Sequence, residues 1–588
     1  MLAILARPGC TLRPPLACCS VLVLILLAGA SSARSPDPGS PQAAIQRLLE
    51  HPDTSGGAGR IDPGRLRVLY SKRRFAPLWT VKGKLTRQGG ALVRALRSAD
   101  DYGLRPQDYD TDSIVALLQR NRVHSPADLA SFDLQLTRAA ARFLEHLHQG
   151  RADPRAAGFE LRVARPQLDL GAHLSQLATT RDVEAELASV EPSFYHYKLL
   201  KAALKQYRQL AAQPQLTLLP KPGGHLKPGQ AYAGAPALRT LLTALGDLPP
   251  ATAGSSPQDG EALDPQLVEG LQHFQARHGI EPNGSLGPST YAALTVPLAQ
   301  RVRQIELTLE RWRWLPSFDT PPIVVNIPQY RLFAFRSTQD RKADILQLDV
   351  IVGQRFPSKR TPVFAADMSY VIFRPYWDIP TSILEQEMLP KIRANPSYLT
   401  DEHLQIVAAS SNDDDAQPLP ATPENIDALA AGKLRLRQEP GPDNALGLIK
   451  LMFPNSYDVY LHGTPAQELF KRSRRDFSHG CIRVSDPIAL AVHVLRDTAG
   501  EWTQEKVEAA MQSGPANQRV NLARPIRVLI VYGTAMALED GSVLFLDDIY
   551  GHDGVLESLL QLPPVAPGPG APAPGGKAAT QAALPRRS

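Results

Sequence analysis

The chain has 588 residues, 43% of them hydrophobic and 21% charged, with 53 Pro, 41 Gly and 4 Cys. That length suits roughly two to four domains and excludes one small module; the apolar fraction excludes wholesale disorder, and so few cysteines exclude a disulfide-stapled scaffold. The net charge of +6 is concentrated near the ends, in Arg7, Arg13, Lys577, Arg586 and Arg587, so the body is nearly neutral and lacks the basic folded face of a nucleic-acid binder.

Arg7 and Arg13 precede an apolar run, Leu16–Ala30, that closes on Ala30-Ser31-Ser32-Ala33. A basic start, an apolar stretch and small residues before a cut predict a signal peptide over 1–33, cleaved after Ala33, and hence export. The run is short for a membrane anchor, which is the alternative if the segment stays uncleaved. Cleavage removes Cys10, Cys18 and Cys19 and leaves Cys481 as the one thiol. A solitary thiol in an exported chain points to a reactive residue, with an inert buried cysteine as the alternative.

Residues 34–60 are rich in Pro, Gly and Ser and read as a linker. A helical region with its own linker follows over 61–235. Leu136, Ala139, Phe143 and Leu147 recur at helical spacing up to about residue 211, and Pro214, Pro220, Pro222 and Pro228 punctuate the remainder. His146 and His148, two apart on a helix, face different sides and make a poor metal pair.

A compact unit spans 236–297. Asp264 can cap a helix with Pro265 at its first position; Leu267, Leu271 and Phe274 form one face, and Gly279 ends it. Asn283-Gly284 marks a turn, and Gly287-Pro288 opens a short helix through Leu294. The string Leu271–Leu294 resembles the peptidoglycan-binding domain of bacterial wall enzymes, with its F-Q, G-I, N-G and G-x-x-T elements in order.

After a connecting helix in 298–318, the apolar period changes from helical to β-type. Ile323–Ile327, Arg331–Phe335, Leu346–Val352, Val371–Phe373, Asp458–Leu461, Val528–Tyr532 and Val543–Leu546 read as strands of one domain over 319–562, with Asp540-Gly541 as a hairpin turn. Residues 381–445 interrupt them with helix-like segments and the acidic string Asn412–Asp415. This is an insertion of the kind that covers a site. Residues 563–588 read as a disordered Pro/Ala/Gly tail.

Cys481 lies in Ser478-His479-Gly480-Cys481-Ile482-Arg483, and His462 ends the strand-like Val459–His462 before Gly463-Thr464. Sulfur attacks as thiolate, which needs a base or a positive charge nearby. His479 is held along the same segment as the sulfur, whereas His462 comes from a separate segment and can approach it side-on. His462 is therefore the expected base, holding the sulfur as an anion, with His479 shaping the pocket. Gly480 and Gly463 let backbone come close, and N–H groups near Gly480 and Cys481 are expected to face an oxyanion. Tyr460 shares a strand face with His462 and is a candidate pocket wall. A zinc site from Cys481, His479 and His462 lacks any accompanying C-x-x-C or H-E-x-x-H. Neither an S-x-x-K string nor a phosphate-cradling loop is present.

The string H-G-T, followed by S-H-G-C-I-R, resembles the signature of L,D-transpeptidases with a YkuD-type catalytic domain. Pro375-Tyr376-Trp377-Asp378-Ile379-Pro380, Asn444-Ala445-Leu446-Gly447 and Asp547-Asp548-Ile549-Tyr550-Gly551 are similar to the large periplasmic subgroup with a lid insertion. The resemblance implies an α+β multidomain protein with a mostly-β catalytic domain, an inserted lid, a helical scaffold and a small helical peptidoglycan-binding domain. It implies an enzyme that needs no cofactor and no metal. Cys481 would take the acyl group of a wall stem peptide, expel D-alanine and pass the acyl group to an amine as a 3→3 cross-link. His462 would move the protons, and Trp377, Tyr376 and Tyr460 would line the cleft. Arg483 would hold a stem carboxylate or make a structural salt bridge; Ser478 would support the loop. Acylation by carbapenems is implied too. Peptidoglycan stem peptides are the expected partners, with other wall-synthesis enzymes as further candidates and no nucleic acid. An L,D-carboxypeptidase on the same site and a non-catalytic wall-binding scaffold are the alternatives.

Overall fold

The computed structural model describes residues 37–51, 63–119, 125–161, 167–249, 261–315, 318, 320–337, 345–410 and 416–562. The expected signal segment 1–33, the string Asn412–Asp415 and the tail 563–588 lie outside them.

The stretch 34–60, expected as a linker, contains a helix, α1 (Pro41–Glu50). Ser40 caps it by accepting from Ala43 N–H, and Ala44, Ile45 and Leu49 are buried. Tertiary burial against α2 (Pro126–Gln149) holds α1 despite a composition that reads as linker. A capping box of Ser125 and Asp128 opens α2. On its buried face Asp133 accepts hydrogen bonds from Tyr70 Oη at 2.6 Å, Leu78 N at 2.9 Å and Trp79 N at 2.8 Å. Thr137, one turn on, accepts from Trp79 Nε1 at 2.8 Å. Burial pushes the Asp133 carboxyl up, and these donors pull it back. His146 and His148 take different partners, Tyr109 Oη at 2.9 Å and Val190 O at 3.2 Å.

Helix α3 (Tyr195–Ala211) packs along the later connecting helix. In the compact unit, α4 (Pro265–Arg277) starts on Asp264, which accepts from Gln266 N and Leu267 N. The chain leaves α4 through Gly279 at φ +65°, a conformation that favours glycine. Arg277 forks onto Asp247 at 2.7 and 2.6 Å and reaches Val543 O at 2.7 Å. The bidentate fork is internal to the unit, and the bond to Val543 O joins the unit to the β domain. The connecting helix is α5 (Leu298–Arg313). Its Arg313 is fully buried, donating to Tyr102 O and to Tyr197 Oη at 3.1 Å. Its Arg311 pairs with Asp553 at 2.6 Å, near the end of the described chain.

The β domain runs β1 (Ile323–Asn326), β2 (Arg331–Ala334), β3 (Leu346–Gly353), β4 (Ala365–Phe373), β5 (Trp377–Asp378), β6 (Leu404–Ala408), β7 (Leu434–Gln438), β8 (Ile449–Met452), β9 (Leu461–His462), β10 (Asp476–Ser478), β11 (Ile482–Val484), β12 (Gln518–Val531), β13 (Ala535–Ala537) and β14 (Val543–Phe545). Its main sheet has the order β10-β3-β11-β9-β8-β4-β12-β1-β2, and β2 pairs back onto β3, so the sheet closes on itself. Leu332, Val350, Val371, Phe373, Leu451, Leu461 and Ile482 fill its core. Two expectations change in detail. Asp458 is not in a strand but at φ +54° just before β9. The segment 518–527, whose alternation of Val520, Leu522 and Ile526 is broken by Arg524 and Pro525, becomes the first part of β12 as it pairs with β4 across a bulge.

The insertion is a small subdomain. Strands β5, β7 and β6 form an antiparallel sheet in that order, beneath helical segments whose Ile392 and Leu429 join Ile406 and Leu436 in a separate core. Trp377 packs against this core and against the main one.

Asp133→Ala leaves the Leu78 and Trp79 N–H groups unpaired and Tyr70 Oη with Thr137 Oγ1 alone, at about 1 kcal/mol for each lost bond. The urea unfolding transition of the helical region is expected to lose about 3 kcal/mol, and Asp133→Asn less.

Candidate active site

Strands β9 and β11 are parallel neighbours, with Leu461 opposite Ile482 and His462 opposite Arg483. The ladder extends one step back, where Ile482 N–H donates to Tyr460 O at 3.1 Å. Alternation then turns Tyr460, His462, Cys481 and Arg483 to one face. His462 stands one diagonal step from Cys481, about 7–8 Å between Cα atoms, within reach of an imidazole. On the other side of β9, β8 sets Lys450 opposite His462, and Lys450 Nζ sits 4.1 Å over the Tyr460 ring.

The imidazole is fixed. Its Nδ1 lies 2.6 Å from Gly463 O. A carbonyl only accepts, so Nδ1 carries the proton and Nε2 keeps the lone pair of a base. Burial, and next the Arg483 guanidinium, lowers the His462 pKa to about 3. Burial also raises the Cys481 thiol above its ordinary value, while the Tyr460 N–H and hydroxyl favour the thiolate. The sulfur donates to Asp458 O at 3.5 Å rather than to His462. The resting pair is therefore neutral thiol and neutral imidazole. This corrects the expectation of a standing anion: burial around the pair disfavours both charges of an ion pair.

The loop before the sulfur is held from several sides. Gly480 sits at φ +127°, open essentially to glycine alone. Ser478 Oγ accepts from Gly480 N–H at 3.2 Å and donates to Cys481 O at 2.5 Å. The Gly480 N–H, expected to face an oxyanion, is thus already engaged. Gly463 is met by Gly447, at φ +63°, where a Cβ would come within 2.7 Å of Thr464 N.

His479 turns away from the sulfur. Its Nε2 lies 2.7 Å from Glu387 Oε1 of the insertion, and Lys359 Nζ lies 3.1 Å from the same oxygen. This latch joins the loop to the lid. Tyr376 lies beneath the Arg437 guanidinium at 3.9 Å, and Trp377 sits in β5 at the root of the lid. Among the described residues, the buried Arg483 Nε has no hydrogen-bond partner. Lys450, Asp458, Lys359 and Glu387 had escaped the sequence reading. Their contacts arise from sheet register and from the inserted subdomain, and only the H-G-T and S-H-G-C strings had local signals.

Three family models match the chain: a scaffold domain over residues 64–204, a "Putative peptidoglycan binding domain" over 234–294 and the L,D-transpeptidase catalytic domain, of YkuD type, over 321–508. The chain is therefore similar to an L,D-transpeptidase catalytic domain over 321–508 and to a peptidoglycan-binding domain over 234–294. It is also similar to a protein of Haemophilus influenzae named "Putative L,D-transpeptidase", 34% identical over 255 residues. That match covers 43% of this chain and 48% of the relative, so the chain spans about half the relative's length.

With both partners neutral at rest, alkylation of Cys481 by iodoacetamide is expected to accelerate about tenfold per unit between about pH 6 and 9. A plateau across that range would mean a preformed thiolate. The hydrogen bond from His479 holds the Glu387 carboxyl below its usual range. The latch is then complete above the ordinary carboxylate pKa and is lost as pH falls through the lowered one. Glu387→Ala is expected to speed amide exchange over 381–394 at neutral pH and leave β12 unchanged.

Proposed function

We propose that this chain is a periplasmic cysteine L,D-transpeptidase that joins peptidoglycan stem peptides by 3→3 cross-links. The observation that carries this reading is the β9–β11 register, which puts Cys481 and His462 on one face of the sheet one diagonal step apart, in the stretch that matches the L,D-transpeptidase catalytic domain.

In this reading the stem peptide enters between the lid and the β9–β11 edge. Its carbonyl carbon, on the L-centre of the third residue, meets the sulfur. As the S–C bond forms, the thiol proton passes to His462 Nε2, and the peptide oxygen becomes an oxyanion held by the Cys481 N–H. The tetrahedral centre collapses, the C–N bond to D-alanine breaks, and the imidazolium returns the proton to the departing amine. A thioester remains. The side-chain amine of a second stem attacks it, gives its proton to His462, and expels the sulfur with a new amide bond. No net oxidation or reduction occurs.

The neutral resting pair supports this sequence: proton transfer coincides with attack, and no buried charge must be kept while the site is empty. Tyr460 favours the sulfur anion as it departs. Trp377 and Tyr460 are proposed to line the cleft, Arg483 to meet a stem carboxylate, and residues 236–297 to hold the chain on its polymer. Residues 1–33 are proposed to direct export.

Incubation with tetrapeptide-stem muropeptides tests the reading. Wild-type protein is expected to give D-alanine and cross-linked dimers, with a thioester at Cys481 in intact mass. Cys481→Ala is expected to abolish both products, and His462→Ala to slow turnover by about 10²–10⁴-fold. Tripeptide monomers without dimers would instead assign an L,D-carboxypeptidase, and wild-type activity of Cys481→Ala would leave a binding scaffold.

A further inference from the structure

Behind the nucleophile lies a buried threonine that the mechanism above does not use. Thr361 is wholly buried. Its Oγ1 donates to Gly480 O at 2.7 Å and accepts from Gly353 N–H at 2.8 Å. Its own N–H donates to Tyr550 Oη at 3.2 Å, and Tyr550 Oη donates to Gly353 O at 2.5 Å. A hydroxyl has a single proton, and here it goes to the Gly480 carbonyl. The close approach is built in: a Cβ on Gly353 would lie 2.1 Å from Lys359 O and 2.6 Å from Thr361 N.

The Gly480–Cys481 peptide is planar, and in a trans peptide the carbonyl and the N–H point in opposite directions. Fixing Gly480 O on Thr361 thus directs the Cys481 N–H away from the interior. The neighbouring donor, Gly480 N–H, is taken by Ser478 Oγ, whereas the Cys481 N–H donates to no atom of the described residues. Gly480 at φ +127° tolerates rotations that other residues resist, and Ser478 holds the flanking groups but not the Gly480 carbonyl, which Thr361 alone fixes among the described residues.

We propose that Thr361 is a positioning residue for acyl transfer: by holding the Gly480 carbonyl it keeps the Cys481 N–H aimed as the oxyanion donor. This rests on the cysteine acyl-transfer reading and adds to it a residue that never touches substrate.

The test separates attack that develops an oxyanion from attack that does not. Acylation by a carbapenem, followed by intact mass, requires the donor; alkylation by iodoacetamide requires only the sulfur. Thr361→Val, which keeps shape and removes the hydroxyl, is expected to slow acylation by about 10²-fold and to change alkylation by less than about threefold. Thr361→Ser is expected to restore acylation, because it retains the proton donor. Tyr550→Phe, which leaves the bond from Thr361 to Gly480 in place, is expected to slow acylation far less. If Thr361→Val does not fold by circular dichroism, Thr361→Cys, a weaker donor in the same place, is measured instead and is expected to fall between serine and wild type on one side and complete loss on the other. Equal slowing of acylation and alkylation, or acylation of the valine (or cysteine) variant at the wild-type rate, would overturn the role of Thr361 alone. Absence of any adduct on the wild-type protein would overturn the cysteine reading and this proposal with it.

Discussion

The parallel pairing of β9 with β11 is the constraint on which the site depends. It is a short ladder, Leu461 to Ile482 and His462 to Arg483, extended by one hydrogen bond to Tyr460. Parallel pairing requires a connection that leaves one strand end and returns to the other. Here residues 463–481 make that return, and their last members are the loop that ends in Cys481. A slip of one residue would put the imidazole and the sulfur on opposite faces of the sheet. The closed sheet and its apolar core hold that register: Leu461, Ile482 and Val484 are wholly buried.

Burial serves the chemistry as well as the fold. Burial around a thiol and an imidazole moves their pKa values in opposite directions, so both rest uncharged. The backbone then decides where the protons sit. Gly463 O fixes the tautomer of His462, and Asp458 O receives the thiol, from a residue held at positive φ just before the strand. Carbonyls do this without adding charge, whereas a carboxylate in either place would bring a further buried ion.

The helix that opens on Asp264 and the S-H-G-C loop carry local signals. Asp264-Pro265 and Gly279 mark the ends of one helix, and S-H-G-C follows an H-G-T strand end. The α1 helix was not readable, since Ser40 and Pro41 resemble linker residues until Ile45 and Leu49 find α2. The lid sheet was missed because β5 has two residues and its partners lie far along the chain. The same holds for the 518–527 half of β12, whose alternation is interrupted by Arg524 and Pro525 and whose pairing partner is β4. His462 and Cys481 could be singled out by residue type, but the neutral resting state depends on burial, which no spacing in the sequence records.

Arg277 has a mechanical implication. Its guanidinium is shared between Asp247 of the compact unit and a backbone oxygen of β14, and α5 runs directly from that unit into the β domain. The two modules are clasped rather than tethered by loose chain. Whatever one module holds is therefore presented to the other at a set offset, like stock against the fence of a saw.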